Sequence, residues 1–253
     1  MSDNKKSRDF LSEKHKPSHD KNIPRHIAII PDGNRRYARK KGKPDWYGHK
    51  EGEKIFEKML EWCKEAGVKE VSFWGMSTEN LERGKEEVDF LLTLFGEICD
   101  KFLKEFKKKK EKDKVRIRFI GNFEKFPPKL MEKINKVMEV TKDYTDYRLN
   151  VLVGYGGRWE ITEAAKKIAK EVKDGKLEPD DITPDVFEKH LFVQSEPDLI
   201  IRTSEERLSG LFPWQGIYSE IIFLKDKYWP ELTKEDFMAC LENYANRPRR
   251  FGK

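Results

Sequence analysis

The stretch that decides the fold is HIAIIPDGNRRYARKKG, from His26 to Gly42. It begins with a short apolar run of the kind that forms a buried strand. Pro31, Asp32 and Gly33 interrupt that run, and a helical pattern rich in arginine follows. A strand that passes through a glycine turn into a basic helix N-terminus predicts a loop that attracts an anion.

The same alternation continues along the chain, with short β-branched runs separated by amphipathic segments. This order predicts an α/β fold: a single domain with a mostly parallel six-stranded sheet flanked by helices. We expect residues 1–22 to be a flexible N-terminal tail and 23–253 to be the folded domain. The predicted strands are 26–30, 68–75, 115–121, 148–154, 198–204 and 220–224, and the predicted helices are 50–66, 85–112, 128–143, 158–174, 183–191 and 233–245.

Composition narrows the classes of partner only slightly. Charged residues make up 39% of the 253 residues, yet the net charge is only +6. A mild basic excess is compatible with nucleic acid, anionic lipid or phosphorylated small molecules. We predict no nucleic-acid partner, because neither a known binding motif nor basic residues interleaved with aromatic ones are present. A basic nucleic-acid-binding protein is nevertheless the alternative from a different functional class.

The cysteines and the hydropathy pattern indicate the compartment. Cys63, Cys99 and Cys240 are far apart and form no CxxC pair, so neither a zinc site nor a disulfide framework is expected. The N-terminus lacks the apolar core of a signal peptide, and no stretch of about 18 apolar residues follows. These features predict a cytoplasmic protein.

Polar residues cluster where three predicted strands end, and the carboxyl ends of parallel strands are where such sheets bind ligands. Arginines match phosphate oxygens, and two carboxylates, Asp32 and Glu220, could share a Mg²⁺ ion with them. The plainer interpretation is that these are turn, capping and surface residues. The clusters are Asp32, Gly33, Asn34, Arg35 and Arg36 after the first strand, Ser77, Thr78, Glu79, Asn80 and Arg83 after the second, and Arg202, Arg207 and Ser209 after the fifth.

Two anion sites on one sheet edge suggest an enzyme that condenses two diphosphates. Neither a GxxxxGK[ST] loop nor a GxGxxG motif is present, so the usual sequence support for ATP hydrolysis and for dinucleotide binding is lacking. His49 lies just past the first basic helix and is a further candidate for the first anion site.

Seven sequence motifs, taken in their order along the chain, resemble those of one protein family. They are HIAIIPDGNRRYARKKG, GHKEG, STEN, GYGGRWEI, DLIIRTSEERLSG, PWQGIYSE and NRPRRFG, which together span residues 24 to 252. The set is similar to the cis-prenyltransferases of the undecaprenyl diphosphate synthase family, and most similar to archaeal-type members. The resemblance implies Mg²⁺-dependent addition of isopentenyl diphosphate units in cis to an allylic diphosphate, geranylgeranyl or else farnesyl diphosphate, giving a long polyprenyl diphosphate for lipid-carrier synthesis.

The resemblance also implies a role for each matching residue. Asp32 and Asn80 are implied as catalytic, with Asp32 and Glu220 at the metal. The allylic diphosphate would be bound by Gly33, Asn34, Arg35, Arg36, Tyr37, His49, Ser77, Thr78, Glu79 and Arg83, and isopentenyl diphosphate by Arg202, Arg207, Leu208 and Ser209.

The family further implies a homodimer, a sheet order distinct from the Rossmann fold and a tunnel for the growing chain. The apolar face of 85–112 suits such a tunnel, although a helix packed on the sheet explains it equally. The glycines of GYGGRW are interpreted as structural, and NRPRRFG as a dimer contact or a segment that completes the site. A long lipid product implies transient peripheral contact with a bilayer.

Three departures from the family pattern bear on the substrates. Leu81 replaces the aromatic residue usual in bacterial members, and Asp45 lies where they have an arginine nearby. The RTSEERLSG loop is one residue shorter than usual. The starter preference and the strength of the isopentenyl site therefore stay open, as does a short-chain product. A noncatalytic partner subunit is the other alternative, although such subunits typically lose the aspartate that is present here as Asp32.

Overall fold

The computed structural model describes residues 23–106 and 114–247. The predictions for the tail 1–22, for the helix end at 107–112 and for most of NRPRRFG lie outside these residues.

All six predicted strands are present, and every neighbouring pair is parallel, which confirms the α/β prediction. The sheet order is β3-β4-β2-β1-β5-β6, which differs from the Rossmann order. The strands are β1 His26–Ile30, β2 Glu70–Ser77, β3 Arg116–Ile120, β4 Arg148–Tyr155, β5 Leu199–Thr203 and β6 Glu220–Leu224.

Seven α-helices lie in the described part of the chain. They are α1 Asn34–Lys40, α2 Asp45–Ala66, α3 Lys85–Phe106, α4 Pro128–Thr141, α5 Gly157–Lys173, α6 Pro184–His190 and α7 Lys234–Asn246. Helix α2 begins five residues before the predicted start, directly after Pro44, whose fixed φ of −64° suits a helix start. His49 therefore lies on a helix. Three 3₁₀ turns were not predicted, because they are too short to show a helical period: Glu79–Glu82, Pro179–Asp181 and Trp229–Glu231.

The central strand β1 shows why both faces of the sheet are covered. Ile27 and Ile29 enter one apolar cluster, which includes residues of α2, α3, α4 and α7. Ala28 and Ile30 enter a second cluster on the opposite face. Alternate side chains of a strand point to opposite faces, so a strand that is apolar throughout requires two covering layers. The three cysteines are free and buried.

The strand order also positions a crevice. From β1 the chain moves to β2 on one side, and after β4 it crosses to β5 on the other side. Loops that leave neighbouring strands in opposite directions open a gap at the carboxyl edge. The loops after β1 and β5 therefore face one another.

Candidate active site

A cleft of about 980 Å³ opens at this carboxyl edge, between the loops that follow β1, β2, β4 and β5. Most residues singled out from the sequence line it, so distant segments converge as the parallel sheet predicts. The predicted residues on its walls are Asp32, Gly33, Asn34, Arg35, Arg36, His49, Ser77, Thr78, Glu79, Asn80, Arg83, Arg202, Arg207 and Ser209.

Gly33 allows the β1 loop to approach the β5 loop. Its φ of 99° is in the left-handed region that favours glycine. A Cβ atom there would lie 2.8 Å from Ser204 Oγ. The Gly33 N–H donates to Asp32 Oδ1 at 2.6 Å. The turn thus fixes the position of the carboxylate at the end of β1.

Gly48 brings His49 into the cleft. A Cβ atom on Gly48 would lie 1.9 Å from the carbonyl oxygen of Asn34, so only glycine lets α2 pack this closely on α1. His49 follows directly and lines the cleft with its side chain largely buried. The glycine in GHKEG therefore has a packing reason that the sequence pattern did not specify.

The loop after β2 is held by a reciprocal pair of hydrogen bonds. The Ser77 N–H donates to Asn80 Oδ1, and the Asn80 N–H donates to Ser77 Oγ, both at 3.2 Å. These bonds close the turn that leads into the 3₁₀ segment Glu79–Glu82. Asn80 consequently has a fixed place on the cleft wall opposite the β5 loop.

Arg202 connects the loops that follow β1 and β5. It is 3% exposed, and its Nη2 donates to Asp32 Oδ2 at 2.8 Å. Its Nη1 donates to Ser209 Oγ at 2.8 Å and to the backbone carbonyl of Arg207. Although the loop is short, Arg202, Arg207 and Ser209 all face the same cleft.

Three predicted site residues do not line the cleft. Tyr37 stacks on Tyr47 with ring centroids 6.3 Å apart, and Leu208 packs against the second apolar cluster. Glu220 begins β6 opposite Leu199, so it lies at the amino edge of the sheet, where it accepts a hydrogen bond from Arg247. Asp32 and Glu220 of one chain therefore cannot share a cation, because the parallel register places these two residues at opposite edges of the sheet.

The cleft also contains residues that the sequence analysis did not assign to it. Gly156, Gly157, Arg158 and Trp159 line its wall, so the interpretation of GYGGRW as only structural was incomplete. The available signal was their position directly after β4, at the same edge as the other loops. The remaining additions include Arg39, Trp74, Glu205, Gly210 and Pro213.

An apolar cavity of about 60 Å³ adjoins the cleft and shares His49, Gly75 and Leu91 with it. Leu94, Phe95 and Ile98 of α3 line its far wall. Part of the apolar face of α3 therefore borders a cavity, while its other residues pack into the core. A charged cleft that leads into an apolar cavity suits a ligand with an anionic head and a hydrocarbon tail.

The donors on the cleft wall also allow a test for a metal ion. Among residues 23–106 and 114–247, no group of three His, Cys, Asp or Glu side chains is arranged to hold one. Asp32 nevertheless presents a partly exposed carboxylate among the basic side chains of the cleft wall. Mg²⁺ is commonly held by one or two carboxylates together with phosphate oxygens and water. The residues fit a cation that arrives with its diphosphate.

Comparison with known proteins gives one consistent result. The profile of a family described as "Putative undecaprenyl diphosphate synthase" matches residues 30–252. A protein of Thermoplasma volcanium named tritrans,polycis-undecaprenyl-diphosphate synthase (geranylgeranyl-diphosphate specific) is 44% identical over 91% of this chain and 89% of its own length. A protein of Methanocaldococcus jannaschii with the same name is 42% identical over 92% of this chain and 84% of its own length.

Solved structures agree with the sequence comparison. A lavandulyl diphosphate synthase from Lavandula x intermedia, crystallised with dimethylallyl diphosphate, superposes with a TM-score of 0.86 at 33% identity, covering 92% of this chain and 99% of that one. A probable undecaprenyl diphosphate synthase from Campylobacter jejuni has a TM-score of 0.74, also at 33% identity, over 91% of this chain and 99% of that one.

Proposed function

The chain belongs to the undecaprenyl diphosphate synthase family of cis-prenyltransferases, and we propose that it extends geranylgeranyl diphosphate by repeated addition of isopentenyl diphosphate in cis. The observation that carries this proposal is the cleft itself, where two basic loops meet beside an apolar cavity. Each loop suits one diphosphate, and the apolar cavity of about 60 Å³, which is much smaller than a C20 chain, marks only where the allylic hydrocarbon would enter.

The β1 loop and its neighbours would bind the allylic diphosphate. Arg35, Arg36 and His49 surround the N-terminus of α1 on the cleft wall, and Arg83 faces them from the β2 loop. Breaking the allylic C–O bond places negative charge on the departing diphosphate. Fixed cations and N–H groups stabilise that charge without reorganisation during the reaction.

The β5 loop would bind isopentenyl diphosphate through Arg202, Arg207 and Ser209. The double bond of isopentenyl diphosphate attacks C1 of the allylic substrate as the allylic diphosphate departs. Loss of a proton from C2 then forms the new cis double bond. Asn80, held by Ser77, would take part in that proton removal.

Asp32 would hold Mg²⁺ together with diphosphate oxygens. When bound, the ion neutralises charge on the departing diphosphate. Arg202 Nη2 donates to Asp32 Oδ2 at 2.8 Å, so the guanidinium and the carboxylate are held side by side where the two loops meet. A partner chain would have to bring Glu220 if that residue completes the metal site.

The preferred starter, which is the allylic diphosphate that the enzyme extends, is inferred from the names of the relatives. Their names state specificity for geranylgeranyl diphosphate, and this chain shares about two fifths of their residues. Leu81 takes the place of the aromatic residue of bacterial members next to Asn80. Leu81 packs against the first apolar cluster and is not among the residues that line the cleft. Farnesyl diphosphate is the competing starter.

Homodimer formation is also proposed, with the β6 edge as part of the contact. β6 is an edge strand whose five residues are all half-buried, and Ile217 just before it is 66% exposed. Unpaired edges and exposed apolar side chains mark surfaces that proteins usually cover.

Within the described residues, no helix has the length and apolarity to cross a bilayer. Delivery of a polyprenyl product would require transient peripheral contact with a membrane.

The direct test is incubation of the purified protein with labelled isopentenyl diphosphate, Mg²⁺ and geranyl, farnesyl or geranylgeranyl diphosphate in turn. We expect a ladder of polyprenyl products that ends at a defined length and is formed fastest from geranylgeranyl diphosphate. A faster reaction from farnesyl diphosphate would correct the starter. Failure of the folded protein to use any starter would favour a noncatalytic partner subunit.

A further inference from the structure

One carboxylate behind the cleft wall joins two arginines and a histidine of that wall. Glu87 lies in the first turn of α3, and its Oε1 is 2.8 Å from Arg83 Nη1 and 3.5 Å from His49 Nε2. Its Oε2 is 3.5 Å from Arg35 Nη1. The three partners come from α1, α2 and the loop before α3. A single side chain therefore ties together three separate segments of the proposed allylic site.

Glu87 is placed to organise these three side chains without touching a ligand. It does not line the cleft, whereas Arg35, His49 and Arg83 all do. Its side chain is 20% exposed, so its ion pairs are partly shielded from water. His49 Nε2 is buried, and its 3.5 Å separation from Glu87 Oε1 is too long for a well-formed hydrogen bond, so Glu87 holds the imidazole by proximity rather than by a tight bond.

The electrostatics of the group are consistent with this role. The nearby His49 imidazole, together with the charges of Arg83 and Arg35, lowers the pKa of Glu87 to about 2, against the opposite effect of burial. The carboxylate is therefore ionised at any pH suitable for an assay. It offsets the repulsion between Arg35 and Arg83 and still leaves positive charge directed at the cleft.

We infer that Glu87 is a positioning residue for the allylic diphosphate, holding Arg35, His49 and Arg83 in the geometry that binds it. This inference rests on the function proposed above. The isopentenyl site lies apart from this contact, because its residues Arg202, Arg207 and Ser209 are held by Asp32 and by one another. Loss of Glu87 should therefore affect the two substrates unequally.

The test is Glu87→Gln, which keeps the shape of the side chain and removes its charge. At metal sites, residues that orient the ligating side chains contribute about 10- to 100-fold to affinity, and we expect an effect at the lower end of that range here. We expect the KM for geranylgeranyl diphosphate to rise about tenfold and the KM for isopentenyl diphosphate to change less than about twofold. Glu86→Gln, one residue earlier on the same turn and exposed, is the matched control and should leave both KM values unchanged.

A binding measurement separates this inference from the proposed activity. A geranylgeranyl diphosphate analogue with sulfur in place of the bridging oxygen does not react, and its binding can be followed by the fluorescence of Trp74 and Trp159 in the cleft. Glu87→Gln should weaken its binding about tenfold with an unchanged Tm. If the wild type bound the analogue but made no product, only the proposed activity would fail.

Two results would overturn the inference: wild-type KM values in Glu87→Gln, or an equal loss for both substrates. If Glu87→Gln does not fold, Glu87→Asp answers the same question. Aspartate keeps the negative charge, but its side chain is one methylene shorter, so the charge lies farther from Arg35, His49 and Arg83. It should then show a smaller loss, still confined to the allylic substrate. Normal allylic binding by a folded Glu87→Asp, or an equal loss for both substrates, would likewise exclude a positioning role.

Discussion

The amino and carboxyl edges of the sheet both hold buried polar residues, but the two edges use them differently. At the amino edge, Asn150 donates to Glu70 at 2.8 Å and to Ser72 at 3.1 Å, and Ser195 donates to the same Glu70 oxygen. His26 Nε2 lies 2.8 Å from Ser72 Oγ. These groups bond to one another across β1, β2 and β4, and that bonding offsets part of the cost of their burial. His26 Nδ1 and Asn150 Oδ1 are buried without a hydrogen-bond partner among the described residues.

At the carboxyl edge, the polar groups are held in place but remain directed at open space. Asp32 and Arg202 bond to each other and still line the cleft, as do Arg35 and Arg83. The difference teaches how to separate a structural polar residue from a functional one. Residue type does not do so, because aspartate occurs at both edges. What differs is the neighbours: Asn150, Ser72, Ser195 and His26 bond mainly within one network, and of that network Glu70 borders a cavity of about 560 Å³. The carboxyl-edge groups together form the wall of the larger cleft.

The strongest test of this comparison makes the same aspartate-to-asparagine substitution at each edge of the sheet. Asp32→Asn should lower turnover by about 10²- to 10³-fold, because one fixed charge at the reacting centre is lost. Asp198→Asn removes an amino-edge carboxylate that accepts from the Arg25 and His26 N–H groups at 2.7 and 2.9 Å. It should cost about 1–2 kcal/mol of stability and leave turnover within about twofold.

Product formation and thermal unfolding of both variants decide this. Near-normal turnover in a folded Asp32→Asn would remove Asp32 from the catalytic set. A large loss of turnover in Asp198→Asn would show that the two edges are not functionally distinct.

The second prediction concerns the amino-edge network itself. Glu70→Ala should lower the free energy of unfolding by about 2–3 kcal/mol, because buried donors on Ser195 and Asn150 lose an acceptor. Glu65→Ala is the control, since this exposed residue only pairs with Lys234 and should cost under about 1 kcal/mol. Urea denaturation measures both, and equal costs would contradict a buried network.

The third prediction is a pH dependence at the amino edge. Burial lowers the pKa of His26, against the charges of Glu70 and Asp198, which raise it. The unfolded chain takes up a proton near pH 6.5, while the folded protein does so only at lower pH. The contribution of neutral His26 is therefore full above that pH and declines as the pH falls below it.

Urea unfolding between pH 8 and pH 5.5 measures this slope. His26→Gln, which cannot titrate, should flatten it. If the variant showed the wild-type slope, another group would be responsible for the pH dependence.

The smallest expected effect comes from a comparison of two serines at the carboxyl edge. Ser204 has a φ of 74°, which is strained for a residue with a Cβ atom. Ser204→Gly should raise the free energy of unfolding by about 0.5–1 kcal/mol, because glycine adopts this conformation freely. Ser209 has a similar φ of 54°, but its hydroxyl accepts from Arg202. Ser209→Gly should instead raise the KM for isopentenyl diphosphate.

Thermal unfolding and substrate titration of these two glycine variants separate strain from function. A less stable Ser204→Gly would mean that the serine contributes a contact which outweighs its backbone strain. An unchanged KM in Ser209→Gly would remove its hydroxyl from the isopentenyl site.

The placement of most of the candidate site could be predicted because it depends on local order along the chain. Each cluster follows a strand directly, as Asp32 follows β1 and Ser77 ends β2, and parallel strands end at one edge. Glu220 failed this rule for a simple reason. It begins its strand, so its position along the strand, which the sequence also displays, places it at the opposite edge.

The sequence alone thus determined the α/β class, the six strands and the loops that carry the anion-binding residues, because hydrophobic period and turn residues are local properties. It did not predict that Gly48 lets α2 pack on Asn34, that Arg158 faces the cleft, or that Glu87 joins Arg35, His49 and Arg83. Only the tertiary structure decided these, because each depends on how distant elements pack, and no local period encodes the distance between two helices.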